Sequence, residues 1–270
     1  MGNSPSLSLK SKPKNKTGKK VKAQKLEHAT KTGILSLQEL KLKQIPPDTF
    51  QLVKLKTLDV SVNNILSYPE DIKNFTQLKT LKFDRNNLTS MPYLTNLPRL
   101  TVLSASANRL DRESLMELPR TLTQLNLSKN SFTMIPRSIS NLALLQVLDM
   151  SQCQFEIFPH PMIGLASLTE LILDDNRIQA VPSDIIHFYR LTILSLKRNQ
   201  IRAKIDGTQS LSPELFTDTG VERLHLDGNP LSQGELMEMK GFDTFLEKRK
   251  TLKQKELQGG VTNFSLCGLD

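Results

Sequence analysis

Residues Gln124–Pro136, QLNLSKNSFTMIP, read Leu125-x-Leu127-x-x-Asn130-x-Phe132-x-x-Ile135-Pro136, and the same phrase returns along most of the chain. Anchored on the asparagine slot, the copies centre on Leu40, Asn63, Asn86, Asn108, Asn130, Cys153, Asn176, Asn199 and Asn229. The steps between them are 23, 23, 22, 22, 23, 23, 23 and 30 residues. The residue types follow from what one turn must do. The two leucines of L-x-L point inward from a short strand, and the residues between them face the opposite side. The asparagine sits where the chain leaves the strand, and its amide can bond backbone groups of its own and the neighbouring turn. Cys153 is small enough to stand in that slot. The phrase continues as I-P-x-x-I-x-x-L-x-x-L, as in Ile135-Pro136, Ile139, Leu142 and Leu145, a convex run that closes the core.

No single turn of this kind buries its leucines alone, so neighbours must stack. The period and the L-x-L phrase define an α/β leucine-rich-repeat solenoid: a horseshoe with a parallel concave sheet, about nine repeats of 22–23 residues and a C-terminal capping helix. The first repeat carries leucine at position 40, as expected of a terminal repeat that shields the core. The fourth lacks the proline and continues as DRESLMELP, which suits a helical turn. The long last step comes from an insertion at 203–219, read either as a surface loop or as a functional element. Beyond Leu231, the spacing of Leu236, Met239, Phe242, Phe245 and Leu246 predicts a helix over 232–250 with Ser232 as its N-cap. The expected domains are a disordered lysine-rich tail at 1–26, the solenoid at 27–231, the cap helix at 232–250 and a loose tail at 251–270.

The net charge of +9 on 270 residues is unevenly placed. Residues 1–26 hold Lys10, Lys12, Lys14, Lys16, Lys19, Lys20, Lys22 and Lys25 and no acid, which leaves 28 basic against 27 acidic residues elsewhere. The start, Met1-Gly2-Asn3-Ser4-Pro5-Ser6, fits the myristoylation pattern with Gly2 as acceptor. One myristoyl chain binds a bilayer only marginally, and a polybasic segment is the usual second signal. Together they predict a cytoplasmic, peripheral protein held on an anionic membrane surface. The same lysines also fit a soluble or nuclear protein whose tail binds acidic partners or nucleic acid. The tail has no aromatic residue to stack on bases, which weighs against nucleic acid. No window approaches the ~18 apolar residues of a membrane span, and no secretory h-region follows the start. Two cysteines make no disulfide framework, in keeping with a reducing compartment rather than secretion. The terminal Cys267-Gly268-Leu269-Asp270 fails as a prenylation box, because its last residue is acidic.

Chemistry is hard to place on this chain. His28, His160, His187 and His225 fall in different repeats or in the leading segment without metal-ligand spacing. Cys153 is expected to be buried in a turn, and no phosphate loop, nucleophile elbow or kinase set is present, so no enzyme, metal or cofactor is expected. Binding on the concave face is the natural use of such a fold. Its outward positions are Asp59 and Ser61; Lys82, Asp84 and Arg85; Ser104 and Ser106; Asn126, Ser128 and Lys129; Asp149 and Ser151. They continue with Glu170, Asp174 and Asp175; Ser195, Lys197 and Arg198; and Arg223, His225 and Asp227. This mixed surface suits a protein partner of a monomeric scaffold better than nucleic acid, which favours a uniformly basic stripe.

The chain resembles the family called leucine-rich repeat-containing protein 57. The resemblance rests on Met1-Gly2-Asn3-Ser4, on Ala29, Lys31, Thr32, Gly33 and Leu37 entering the first repeat, on Gly228-Asn229, and on GFDTFLEKRK at 241–250. It implies a membrane-associated, non-enzymatic protein acylated on Gly2. The lysine-rich run at 5–26 and the extension beyond Lys250 depart from that pattern. The 23-residue I-P repeat is also similar to Ras-pathway scaffold repeats, which by analogy suggests a small GTPase or a phosphatase as partner.

Overall fold

The computed structural model describes residues 16–115, 117–160 and 164–259. Helix α1 (Lys16–Thr32) leads into strand β1 (Ile34–Ser36). There follow β2 (Thr57–Asp59), β3 (Thr80–Lys82), β4 (Val102–Ser104), β5 (Gln124–Asn126), β6 (Val147–Asp149), β7 (Glu170–Ile172) and β8 (Ile193–Ser195). A hairpin of β9 (Lys204–Ile205) and β10 (Thr208–Gln209) and helix α2 (Pro213–Thr217) precede β11 (Arg223–His225), α3 (Gln233–Met237) and α4 (Phe242–Gly259). The nine repeat strands form one parallel sheet in the order β1 to β8, then β11.

The central residue of every repeat strand is leucine, and the register stacks Leu35, Leu58, Leu81, Leu103, Leu125, Leu148, Leu171, Leu194 and Leu224 into one column. All nine are at most 1% exposed. Each contributes about 2 kcal/mol by burial. Short 3₁₀ segments such as Pro47–Gln51 and Arg137–Asn141 form the convex side, each opening after a proline in extended conformation. Their apolar residues, Ile72, Ile139 and Ile185 among them, close the core from behind.

The asparagine slot works as its chemistry demands. Asn130 is buried; its amide donates to Ala105 O, Leu127 O and Ser128 O at 2.9–3.1 Å, and its oxygen accepts from Leu110 N at 3.0 Å. Asn63, Asn86, Asn108 and Asn176 repeat the pattern. In the odd repeat the Cys153 thiol donates weakly to Leu127 O at 3.7 Å and is half-buried rather than buried. Burial pushes that thiol up to about 11, with backbone N–H bonds from Asn130 and Phe132 opposing.

A regularity of the turns was not legible in composition. The residue before each slot takes a positive φ: Glu39, Val62, Arg85, Ala107, Lys129, Gln152, Asp175, Arg198 and, as the single glycine of the series, Gly228. An L-residue there costs about 1–2 kcal/mol. The turn recovers part of it, because the same residues donate to the next strand's exit, as from Val62 N to Asp84 O and Arg85 N to Ser106 O at 2.8 Å.

Both ends differ from expectation. The expected disordered tail at 1–26 is corrected over its described part: residues 1–15 lie outside the described residues, while 16–26 belong to α1. It lies over the open end of the core, burying Ala29 and packing Leu26 there. Two of the tail lysines tie it down, Lys22 to Asp48 at 3.5 Å and Lys25 to Ser36 O at 2.8 Å. Gly33, at φ 72°, closes it by donating to Ala29 O. Composition failed here because a cap needs only a few apolar residues. At the far end, the single helix expected at 232–250 is two helices, and the second runs on to Gly259 through part of the expected loose tail. Ser232 is the N-cap of α3, in a capping box with Glu235.

The insertion at 203–219 builds the seat of this cap. Phe216 of α2 meets Phe242 and Phe245 of α4 at ring distances of 5.4 and 6.0 Å, and Lys248 donates to Phe216 O and Thr217 O. Gln209 of the hairpin bonds the backbone of Lys240 from the other side. The run 115–118 in the fourth repeat is partly outside the described residues; before it, Asp111 and Ser114 bond one another as a turn.

Candidate concave binding face

Three columns of side chains project from the sheet. The first is Ile34, Thr57, Thr80, Val102, Gln124, Val147, Glu170, Ile193 and Arg223. The second is Ser36, Asp59, Lys82, Ser104, Asn126, Asp149, Ile172, Ser195 and His225. The third, two residues further on, runs through Ser61, Asp84, Ser106, Ser128, Ser151, Asp174, Lys197 and Asp227. All the expected face residues fall in these columns or, for Arg85, Lys129, Asp175 and Arg198, on the left-handed row beside them. The apolar members Ile34, Val102, Val147, Ile172 and Ile193 share this face, and no polar group marks them for it in the sequence.

Many of the charged groups here serve the fold. Asp84 accepts from Ser104 Oγ at 2.5 Å and Ser106 N at 2.8 Å; Asp174 does the same from Ser195 Oγ at 2.6 Å and Lys197 N at 2.8 Å. Asp149 and Asn126 accept from Ser151 N and Ser128 N, two residues on, at 2.9 Å. These carboxylates and amides satisfy N–H groups that the short strands leave unpaired. Arg198 clamps Asp175 through Nε and Nη2 at 2.5 and 2.6 Å, which holds the Asp175 carboxyl below its ordinary value. Lys197 lies 3.4 Å from Asp227. Beside them His225 is half-buried; that burial, and the nearby Lys197 charge, lower its pKa, so it is neutral near pH 7.

Lys82, Arg85 and Lys129 on one half, and Glu170 and Arg223 on the other, enter no ion pair among the described residues. They are the charges this face has left for a partner. The histidines spread along the sequence partly converge on the convex side, where His160 Nδ1 is 2.8 Å from Asp184 Oδ2 and His187 Nδ1 is 2.9 Å from Asp184 O. Among the described residues, no group of side chains could hold a metal ion and no helix is long and apolar enough to cross a membrane. A groove of about 500 Å³ by Met134, Ile157 and Arg177 lies off the concave face. Of the lysines assigned to membrane contact, Lys10, Lys12 and Lys14 lie outside the described residues, as does Gly2; Lys16, Lys19 and Lys20 lie in α1.

The family model described as Leucine Rich Repeat matches residues 121–142, which is one repeat. No curated protein matches the chain by sequence. Among solved structures, the chain is similar to an internalin (inlF) from Listeria monocytogenes, at 18% identity and a TM-score of 0.62 over 82% of this chain; it spans 60% of that structure's length. It is similar to the leucine-rich repeat domain of the type III effector XCV3220 (XopL), at 24% identity and a TM-score of 0.52 over 72% of this chain and 77% of that one. A TDR receptor matches at 22% identity and a TM-score of 0.58 over 76% of this chain and 37% of its own. These likenesses are of fold. The molecule is a leucine-rich-repeat protein, a solenoid whose nine-stranded sheet lines its concave side.

Proposed function

We propose that this protein is a non-enzymatic scaffold that binds a protein partner on its concave face and is tethered to the cytoplasmic side of a membrane through Gly2 and its lysine-rich leading segment. The observation that carries the binding half is the division of that face. Its aspartates are engaged with backbone or with Arg198 and Lys197, while Lys82, Arg85 and Lys129 stand unpaired beside the serine-lined centre, with Glu170 and Arg223 unpaired on the other half. A partner of complementary, acidic surface fits there; a small GTPase or a phosphatase is the reading by fold analogy. The tether half is supported by Met1-Gly2-Asn3-Ser4 and the lysines behind it, and by the resemblance to the leucine-rich repeat-containing protein 57 family, in which we place the chain.

The test is the intact mass of the protein from its native cell, with fractionation of the parent and Gly2→Ala. Loss of methionine, a myristoyl mass and a soluble Gly2→Ala support the tether. An unacylated start with unchanged distribution returns the lysines to a soluble or nuclear protein that binds acidic partners. Ser4, Ser6, Ser8 and Ser11 sit among the lysines, and each phosphate would add about −1.5 to −2 charge and weaken the hold on an anionic surface.

A further inference from the structure

The run that climbs from the convex side into each strand forms one rim of the solenoid. A backbone ladder makes it rigid: Lys79 N donates to Lys56 O, Thr101 N to Lys79 O, Thr123 N to Thr101 O and Gln146 N to Thr123 O, at 2.8–2.9 Å. Threonine hydroxyls repeat the ladder, Thr101 to Lys79 O, Thr123 to Thr101 O, Thr169 to Gln146 O and Thr192 to Thr169 O. The four residues before each of β2 to β8 are VKLK, TQLK, PRLT, RTLT, ALLQ, ASLT and YRLT. They contain Lys54, Lys56, Lys79, Arg99, Arg120 and Arg190, all exposed, and no acid. None of the six enters an ion pair among the described residues. The first acid on this rim is Glu222, before β11. The same rim exposes Val53, Leu144 and Tyr189 by 52%, 54% and 71%. The convex runs are opposite in sign, with Asp48, Glu70, Asp71, Asp111, Glu113, Glu117, Asp184, Glu214 and Asp218 against Lys73, Arg112 and Arg137.

We infer that this rim is the face the solenoid lays on an anionic lipid surface, a reading that rests on the membrane tether proposed above. The ladder runs from repeat to repeat along this rim, so its exposed side chains line one edge of the stack and can meet a surface together. Lys54, Lys56, Lys79, Arg99 and Arg120 stand on four successive repeats whose strands are about 4.8 Å apart, with Arg190 three repeats further on, and they meet lipid phosphates or carboxylates. Tyr189, with the apolar Val53 and Leu144 spaced along the same rim, suits the headgroup boundary. A nucleic acid would match the charge but leave Val53, Leu144 and Tyr189 without partners. Laid down this way, the concave face stands upright on the membrane and opens sideways to the cytosol.

The experiment uses the full-length, unacylated chain and phosphatidylcholine vesicles with and without phosphatidylserine at about one-third of the lipid. The rim variant is Lys54→Glu, Lys79→Glu, Arg99→Glu and Arg120→Glu; a control of equal charge is Lys73→Glu, Arg109→Glu, Arg112→Glu and Arg137→Glu. A tail variant carries Lys10→Gln, Lys12→Gln and Lys14→Gln, and circular dichroism confirms that all are folded. The rim variant should lose at least about tenfold in partitioning onto anionic vesicles while the control keeps most of it. Equal loss in rim variant and control overturns the assignment, as does rim-dependent binding of duplex RNA or DNA with none to vesicles. Loss in the tail variant alone sinks the rim and leaves the tether standing. Loss in the rim variant alone keeps the rim and sinks the electrostatic role of the tail.

Discussion

The concave face and the climbing rim are both charged and use their charges in opposite ways. On the concave face, Asp84, Asp149 and Asp174 accept from backbone N–H groups, and Asp175 is clamped by Arg198. On the rim, Lys54, Lys79, Arg99 and Arg120 touch no opposite charge among the described residues and rise from a backbone that is already satisfied. Charge on the concave face is therefore mostly a property of the fold, and charge on the rim is available to a ligand. The residue totals hide this. The chain after residue 26 is nearly neutral, yet its cations and carboxylates are sorted onto different sides.

The largest effects should come from polar groups built into the ladder. Asn130→Ala leaves Leu110 N without its acceptor and takes one of two donors from each of Ala105 O, Leu127 O and Ser128 O, and chemical denaturation should read about 2–3 kcal/mol of lost stability. Asp174→Ala frees Lys197 N and the Ser195 hydroxyl and should cost about 1–2 kcal/mol by the same measurement. Cys153→Asn restores the slot and should add about 1 kcal/mol; a loss there would mean that the turn has repacked around sulfur.

Two titrations sharpen the contrast further. In Arg198→Met the Asp175 carboxyl should rise towards its ordinary value of about 3.9, followed by NMR. The pair's contribution is present above that value and is lost as pH falls through the lowered folded one, so parent and variant should converge in acid. His225 binds its proton less readily folded than unfolded, so its contribution is full above about 6.5 and fades below. His225→Gln should flatten that limb by a few tenths of a kcal/mol, and Lys197→Met should move the imidazole only part-way back, because burial leads among its causes. Smallest of all, each rim substitution such as Lys79→Gln should leave stability within about 0.5 kcal/mol. A rim cation that destabilises by more belongs with the concave group.

The strands were legible because each L-x-L marks an inward pair, and every central leucine of the sheet stands where the repeat put it. The asparagine ladder was legible because an amide has the donors and acceptor that such a turn needs. The left-handed row was not, since Val62, Arg85, Lys129 and Gln152 are not residues that announce that conformation. Their strain is tolerated by bonds to the next repeat, which one repeat read alone does not contain. The helical caps were half legible: Leu236, Met239, Phe242 and Phe245 have helical spacing, while α1 has few apolar residues and is held by Lys22 and Lys25. At the concave site, residue identity was read correctly and availability was not, because hydrogen bonds to residues about 22 positions away decide which charges are free.

The insertion before β11 bears on how the chain closes on itself. Asparagine bonds between neighbouring turns span 20 to 26 residues along the array and 28 to 33 at the last turn. Closure entropy grows only as the logarithm of loop length, so a step of 30 rather than 23 costs about 0.2 kcal/mol more. The last turn therefore zips onto its neighbour nearly as readily as any other, and the added residues are free to seat α4. Hydrogen exchange should advance inward from the two helical ends, with no seam at residue 203 dividing the molecule into two folding units.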